Sequence, residues 1–463
     1  MRMRPFLLPL NRVSVYCRPL RTGSLLVEFI MGCSKHAYDC QRQAWSNLMK
    51  TILLTVLLTV AATAHATDYY VAPNGDDHAA GTKAAPLRSI MRAQQAAQAG
   101  DTVYFRGGVY PYTAGVNSCA TRTDTVNAIT LNNSGTENRP IRYWAYPGET
   151  PVFDFSAMKD DCRVKGFNVT GSWLHLKGLE VRGVPQQPEN HLNHESWGIW
   201  NSGSHNTFEQ LNLHHNMGPG LFIQNGGYNL VLNTDSHHNY DPYTSNGAGQ
   251  SADGFGAHIK AGHPGNIFRG CRAWANSDDG FDLINAFSPV IIENSWAWQQ
   301  GYLPGTRTKL EAGNGNGIKA GGYGGKYVPN GVKHIVRNSI AFDNKSAGFY
   351  ANHHTLALDF INNTAFSNGV NYNMLGIAPD GSPIALGNLL NNIAYEGRLT
   401  VNTEGLDMAH NSWTLPTPVT TADFEDVSHL GWDAPRQPDG SLPVLRSFHP
   451  RAGSKLARMG AFN

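Results

Sequence analysis

The feature that most restricts how this chain can fold is an internal repeat. The segment Asn266-Ile-Phe-Arg-Gly-Cys-Arg-Ala-Trp-Ala-Asn276 is echoed by Ile335-Val-Arg-Asn-Ser-Ile-Ala-Phe-Asp-Asn344, by Phe360-Ile-Asn-Asn-Thr-Ala-Phe-Ser-Asn368 and by Leu390-Asn-Asn-Ile-Ala-Tyr395. Residues 208–216, 230–239 and 290–300 fit the same frame. Each full unit closes on an amide: Asn216, Asn239, Asn276, Gln300, Asn344 and Asn368, at separations of 23, 37, 24, 44 and 24. A period near 23 with two long insertions explains these numbers. The units are short, alternating in polarity and rich in Gly and Asn, with no long helical pattern. That describes the coils of a parallel β-helix, an all-β single-chain solenoid.

The recurring amide has a physical use. A side-chain amide turned inward at a bend can bond its counterparts in the coils above and below, satisfying polar groups at the turn. Ala273, Ala297, Ala341, Ala365 and Ala394 form a column of small residues, and Cys271, Ser295 and Ser339 form another. A narrow coil interior needs such residues, so Cys271 is expected to be a buried core thiol. Residues 86–99 (PLRSIMRAQQAAQA) read as a short N-terminal helix capping the open first coil, where unpaired strand edges would otherwise be exposed. A strand is expected from Gly100-Asp101-Thr102-Val103. From about residue 398 the repeat fades and Pro becomes frequent, so the tail is expected to pack along the solenoid or close its far end.

The start of the chain reads differently. Met49-Lys50, an uncharged apolar run from Ile52 to Ala62, and Ala64-His65-Ala66 match a secretory signal peptide over 49–66. Residues 1–48 are then expected to be an upstream extension from a mis-assigned start, and 67–463 a single β-helix domain, secreted to the periplasm or beyond. The whole sequence has a formal charge of +1, while 67–463 carry 28 basic and 33 acidic residues, or −5. No bulk basicity points to nucleic acid. No apolar run reaches the ~18 residues of a membrane span. A monomer is expected. Export permits a disulfide, expected between Cys119 and Cys162.

A second set of segments follows each amide turn: Gly220-Leu-Phe-Ile, Gly254-Phe-Gly-Ala, Gly280-Phe-Asp-Leu, Gly317-Ile-Lys-Ala and Gly348-Phe-Tyr-Ala. Aligned on Gly, the columns one and three residues on are apolar, so strand alternation turns them inward. The column between them, Phe222, Gly256, Asp282, Lys319 and Tyr350, must face outward, towards solvent. Asp282 and Lys319 are then neighbours one rung apart, about 4.8 Å. The residue before each Gly gives Asp253, Asp279 and Asn316, and Asp278 precedes Asp279. Four carboxylates thus converge over two coils beside one lysine. Like charges on adjacent rungs raise each other's pKa or demand a cation. An all-oxygen set on a stiff frame suits Ca²⁺ above other ions.

These stretches, Ser251-Ala-Asp-Gly-Phe255, Asn276-Ser-Asp-Asp-Gly-Phe-Asp282 and Gly313-Asn-Gly-Asn-Gly-Ile-Lys-Ala320, resemble the family 9 polysaccharide lyases, the pectate lyases built on a right-handed parallel β-helix of ten coils. The resemblance runs from about Tyr69 to the C-terminus. It implies that Asp253, Asp278, Asp279 and Asp282 bind Ca²⁺ and that Lys319 is the Brønsted base for β-elimination on a polyuronate such as polygalacturonate. Lys260, Arg307, Lys309 and Tyr350 are further candidates for substrate contact. His214-His215 and His237-His238 recur one coil apart and are expected to stack rather than bind metal. Three other readings stand beside the main one: a lyase on another uronan, a hydrolase using paired carboxylates, and a glycan-binding β-helix without catalysis.

Overall fold

The computed structural model describes residues 66–463, apart from 120, 122–123, 188–194, 246, 401–405 and 463. The expected extension and nearly all of the expected signal peptide lie outside the described residues.

Each coil contributes one short strand to each of three parallel sheets, of twelve, ten and ten strands. One turn of the solenoid runs through Val290–Glu293, Trp296–Trp298 and Ile318–Lys319, then returns to Ile335–Arg337 beside its starting strand. A two-stranded antiparallel pair, Leu375–Ile377 with Pro383–Ala385, is the one departure among the described sheets. The inward columns are apolar: Leu221, Phe255, Phe281, Ile318 and Phe349 stack in register and lie fully in the core.

Two bends per coil give the three-sided outline, and both use left-handed backbone. One column is Gln210, Asn233, Gly270, Asn294, Asn338, Asn362 and Asn391; the other is His215, His238, Ala275, Gln299, Asp343 and Ser367. A left-handed non-Gly residue costs about 1–2 kcal/mol. The residue after each bend offsets it with a ladder. Asn216 donates from N and Nδ2 to Asn239 Oδ1 (3.0 and 3.1 Å), and Asn239 does the same to Asn276 (3.2 and 2.9 Å). Gln300, Asn344 and Asn368 continue the column. The amide ladder read from the sequence therefore forms, fully inside the protein. The Cys271–Ser295–Ser339 column is a ladder too: Cys271 N donates to Ser295 Oγ (3.1 Å), and Ser295 N to Ser339 Oγ (3.2 Å). Asn363, Asn392 and Asn411 extend it.

The capping helix spans Ile90–Ala96, shorter than the sequence suggested. Ser89 caps it by accepting from Arg92 N, and Leu87 is drawn instead into a bridge with Val71. Cys119 and Cys162 form a disulfide, and Cys271 is a buried free thiol. The tail lies along the solenoid. Phe424, Trp432, Phe448 and Leu456 pack against the outer face of the Trp296, Trp298, Ile340, Phe342 and Phe366 rungs as a second apolar cluster. Arg272 and Arg436 both grip Asp235 at 2.6 Å, pinning the tail to the coils. His214 stacks on His237 and His237 on Trp274, with centroids 5.0 and 4.0 Å apart, so the histidine pairs are rungs of a stacked column.

Candidate active site and metal centre

The strands Phe255–Ala257, Phe281–Asp282, Ile318–Lys319 and Ala347–Tyr350 lie side by side in one ten-stranded sheet. Their register pairs Gly256 with Asp282, Asp282 with Lys319, and Lys319 with Tyr350. Alternation turns this column away from the core. The expectation that it meets solvent is corrected, because Asp282 and Lys319 are only 5% and 7% exposed. The two insertions carry their own anchors. Asp241 anchors the first, accepting from Thr244 Oγ1, Ser251 N and Ser277 Oγ. Lys345 holds the second by donating to the carbonyls of Leu310 and Gly313, each at 2.5 Å.

The preceding column is itself a ladder. Asp253 Oδ1 accepts from Asp279 N (3.1 Å), Asp279 Oδ1 from Asn316 N (2.7 Å), and Asn316 Oδ1 from Ala347 N (3.1 Å). Asp278 Oδ1 accepts from Asn314 N and Nδ2, at 2.5 and 3.0 Å. One oxygen of each acid is thus fixed by backbone. One carboxylate oxygen each from Asp253, Asp278 and Asp279 falls within a 4.8 Å group, all three residues buried. Asp282 stands outside that group: its Oδ2 lies 3.1 Å from Lys319 Nζ, and its Oδ1 accepts from Ile284 N. Lys319 Nζ is also 3.2 Å from Asp279 Oδ2, which has no aligned hydrogen bond of its own.

The electrostatics follow from this crowding. Burial first, then the neighbouring acids, hold Asp253 and Asp278 well above the usual carboxylate range, and Asp279 also sits above it. Asp282 goes the other way. Burial works to raise it, but Lys319, His258 and the Ile284 amide together hold it below the usual range. For Lys319, burial favours the neutral amine, yet Asp282, Asp279, Asp278 and Asp253 together hold it well above the ordinary lysine value. Three buried acids that repel one another, each with a backbone-fixed oxygen, are a donor set that fits a hard divalent cation.

Of the other candidates, Tyr350 adjoins Lys319 in register and is half-buried. Lys260 and Lys309 are exposed, the latter on a hairpin bridged to Tyr302. Arg307 is engaged elsewhere, donating to Asp343 Oδ2 at 3.0 Å. Two residues were missed. His258 Nε2 is 3.7 Å from Asp282 Oδ2, and the largely buried Glu195 lies within the electrostatic reach of both. Carrying the strand alternation one step past Gly256 would have found His258. Glu195 has no such signal, since it enters from a different coil.

Residues 69–392 match the family model described as Pel9A-like, right-handed β-helix region. The chain is 39% identical over 401 residues to pectate lyase L of Dickeya chrysanthemi, covering 85% of each protein. It is 33% identical over 419 residues to pectate lyase L of Paenibacillus polymyxa, covering 85% of this chain and 84% of that one. Among solved structures it is similar to a rhamnogalacturonan lyase (TM-score 0.79, 34% identity, 86% of this chain and 100% of that one) and to pectate lyase Pel9A (TM-score 0.69, 35% identity, 85% and 91%).

Proposed function

This chain belongs to the Pel9A-like right-handed β-helix family of polysaccharide lyases, and from that premise we propose that it is a secreted, Ca²⁺-dependent pectate lyase with Lys319 as Brønsted base. The observation that carries the reading is the juxtaposition of Lys319 Nζ, 3.1–3.2 Å from Asp282 and Asp279, with the buried Asp253–Asp278–Asp279 group.

Asp253, Asp278 and Asp279 would hold the cation, with Asp282, the fourth acid of the sequence motif, at its edge and shared with Lys319. When bound, Ca²⁺ supplies positive charge that neutralises the uronate carboxylate and stabilises the enolate-like transition state. Lys319 Nζ takes the proton from C5. The C5–H electron pair becomes the C4–C5 double bond, the C4–O bond breaks, and the departing oxygen is protonated by solvent. Lys319 can accept that proton only as the neutral amine. Asp282 and Asp279 are foremost among the acids that hold its proton on, so a cation offsetting the Asp279 charge would favour the neutral amine. Asp282 and Asp279 aim the amine.

Secretion through residues 49–66 agrees with an insoluble or polymeric substrate and with the Cys119–Cys162 disulfide, a bond of oxidising compartments. The similarity to a rhamnogalacturonan lyase supports a second reading, elimination on a different uronate-containing backbone. Ultraviolet absorbance of the unsaturated product, followed on polygalacturonate and on rhamnogalacturonan with Ca²⁺ or with chelator, tests both. A chelator-sensitive rise on polygalacturonate is expected. Reducing ends without that absorbance would instead indicate hydrolysis.

A further inference from the structure

The outward column of the active-site sheet does not end at Asp282. It continues towards the N-terminus through Gly256, Phe222 and Trp200, each in register with the next. The Trp200 and Phe222 rings stack with centroids 4.9 Å apart. Gly256 is small for a reason: a Cβ there would lie 2.5 Å from the Phe222 ring, which spreads across that rung. Phe222 in turn meets the His258 ring edge-on at 4.8 Å, and His258 adjoins Asp282. A stacked column therefore leads away from the acid cluster for three rungs, roughly 14 Å, with Phe222 buried inside it and Trp200 half-buried at its far end.

A cation stands over the far end of this column. Lys165 Nζ lies 4.0 Å from the centroid of the half-buried Trp200. Among the described residues it has no carboxylate or hydrogen-bond partner. Arg163, two residues earlier on the same strand, lies over Trp197 at 5.0 Å, and its Nε is buried without a partner. A partly buried lysine beside a second cation is poorly placed unless an anion joins it. Burial, and then Arg163, pull its pKa down to about 8, the mark of a cation lacking a counter-charge.

Resting on the polyuronate reading above, we propose that Lys165 and the half-buried Trp200 form a distal subsite that takes a uronate residue of the polysaccharide, about three rungs from the bond that is cleaved. The ammonium pairs with the sugar carboxylate, and the open edge of the Trp200 ring meets the sugar beside it. The subsite lets the enzyme favour longer chains and fixes the polymer's direction along the groove.

The test is calorimetric titration of short and long oligogalacturonides, with turnover blocked by Lys319→Ala, in the presence and absence of Lys165→Ala. The long oligomer is expected to lose about ten-fold in affinity and the short one less than two-fold. Lys165→Arg should restore the long-chain affinity. In the active enzyme Lys165→Ala should raise KM for long oligomers by a similar factor. Equal affinity with and without Lys165→Ala at every length overturns the subsite, as does a loss that ignores length. Product absorbance is read separately. A length-dependent loss of binding in a protein that makes no unsaturated product would keep the subsite and retire the lyase reading.

Discussion

Asp279 serves three neighbours at once: its Oδ1 takes both Asn316 donors, its Oδ2 lies against Lys319, and its N–H donates to Asp253. Asp253 is less entangled, which makes it the better probe of the metal centre. Asp253→Asn keeps an acceptor for the Asp279 N–H and removes one charge from the buried group. The Ca²⁺ concentration for half-maximal initial rate should rise by at least about ten-fold, and an unchanged requirement would remove Asp253 from the site. At this scale the sequence was informative where columns could be aligned on a glycine. Asp253, Asp279, Asp282 and Lys319 fell on the right rungs because strand spacing and alternation are rigid. Access was less legible, since alternation tells which side of the strand Asp282 and Lys319 take but not what packs over that side.

The coil is the unit in which stability is held. Asn344, almost fully buried, accepts from Gln300 N and donates to Ala297 O and Asn368 Oδ1. Asn344→Ala strands the Gln300 amide and the Ala297 carbonyl, which costs about 1–3 kcal/mol per buried unpaired group. Thermal unfolding should show a clear drop in Tm, and a Tm equal to that of the wild type would mean the ladder is dispensable at that rung. The ladder itself was readable because amides recurred in phase. The left-handed column beside it was not, because Ala275, Gln299 and Ser367 have no preference for that backbone region and adopt it only because the stacked rungs impose it. The capping helix shows the same limit: its helical pattern extends over Leu87, but that residue's partner, Val71, lies outside the window.

Over the whole molecule, charge and folding are linked. Asp253 and Asp278 hold protons in the metal-free fold at pH values where an unfolded chain has released them. Their contribution to stability is present at low pH and lost as pH rises through their raised values. Half-buried His237 and buried His334, pulled down to about 2 and about 3 by desolvation first, act oppositely. Their contribution is present above the ordinary histidine value of 6.5 and lost as pH falls below it. Ca²⁺ competes only with the acid protons, so the rise in Tm on adding Ca²⁺ should grow across a series of pH values climbing from the ordinary carboxylate value. A rise that is constant over that range would place the ion away from the Asp group. The parallel β-helix was legible from the repeat, and of the two seats expected for the tail the one along the solenoid is taken, a choice set by contacts such as Arg436 with Asp235 that cross 201 residues.

The central claim is that the Lys319 amine removes the C5 proton beside a cation held by the buried acids. Its most direct measurement is the initial rate of unsaturated-product formation from polygalacturonate by Lys319→Ala at saturating Ca²⁺, with oligogalacturonide affinity and Tm recorded alongside. The account predicts a fall of about 10²–10⁴-fold in rate with binding retained, and a variant that binds substrate and turns it over at near the wild-type rate would contradict it.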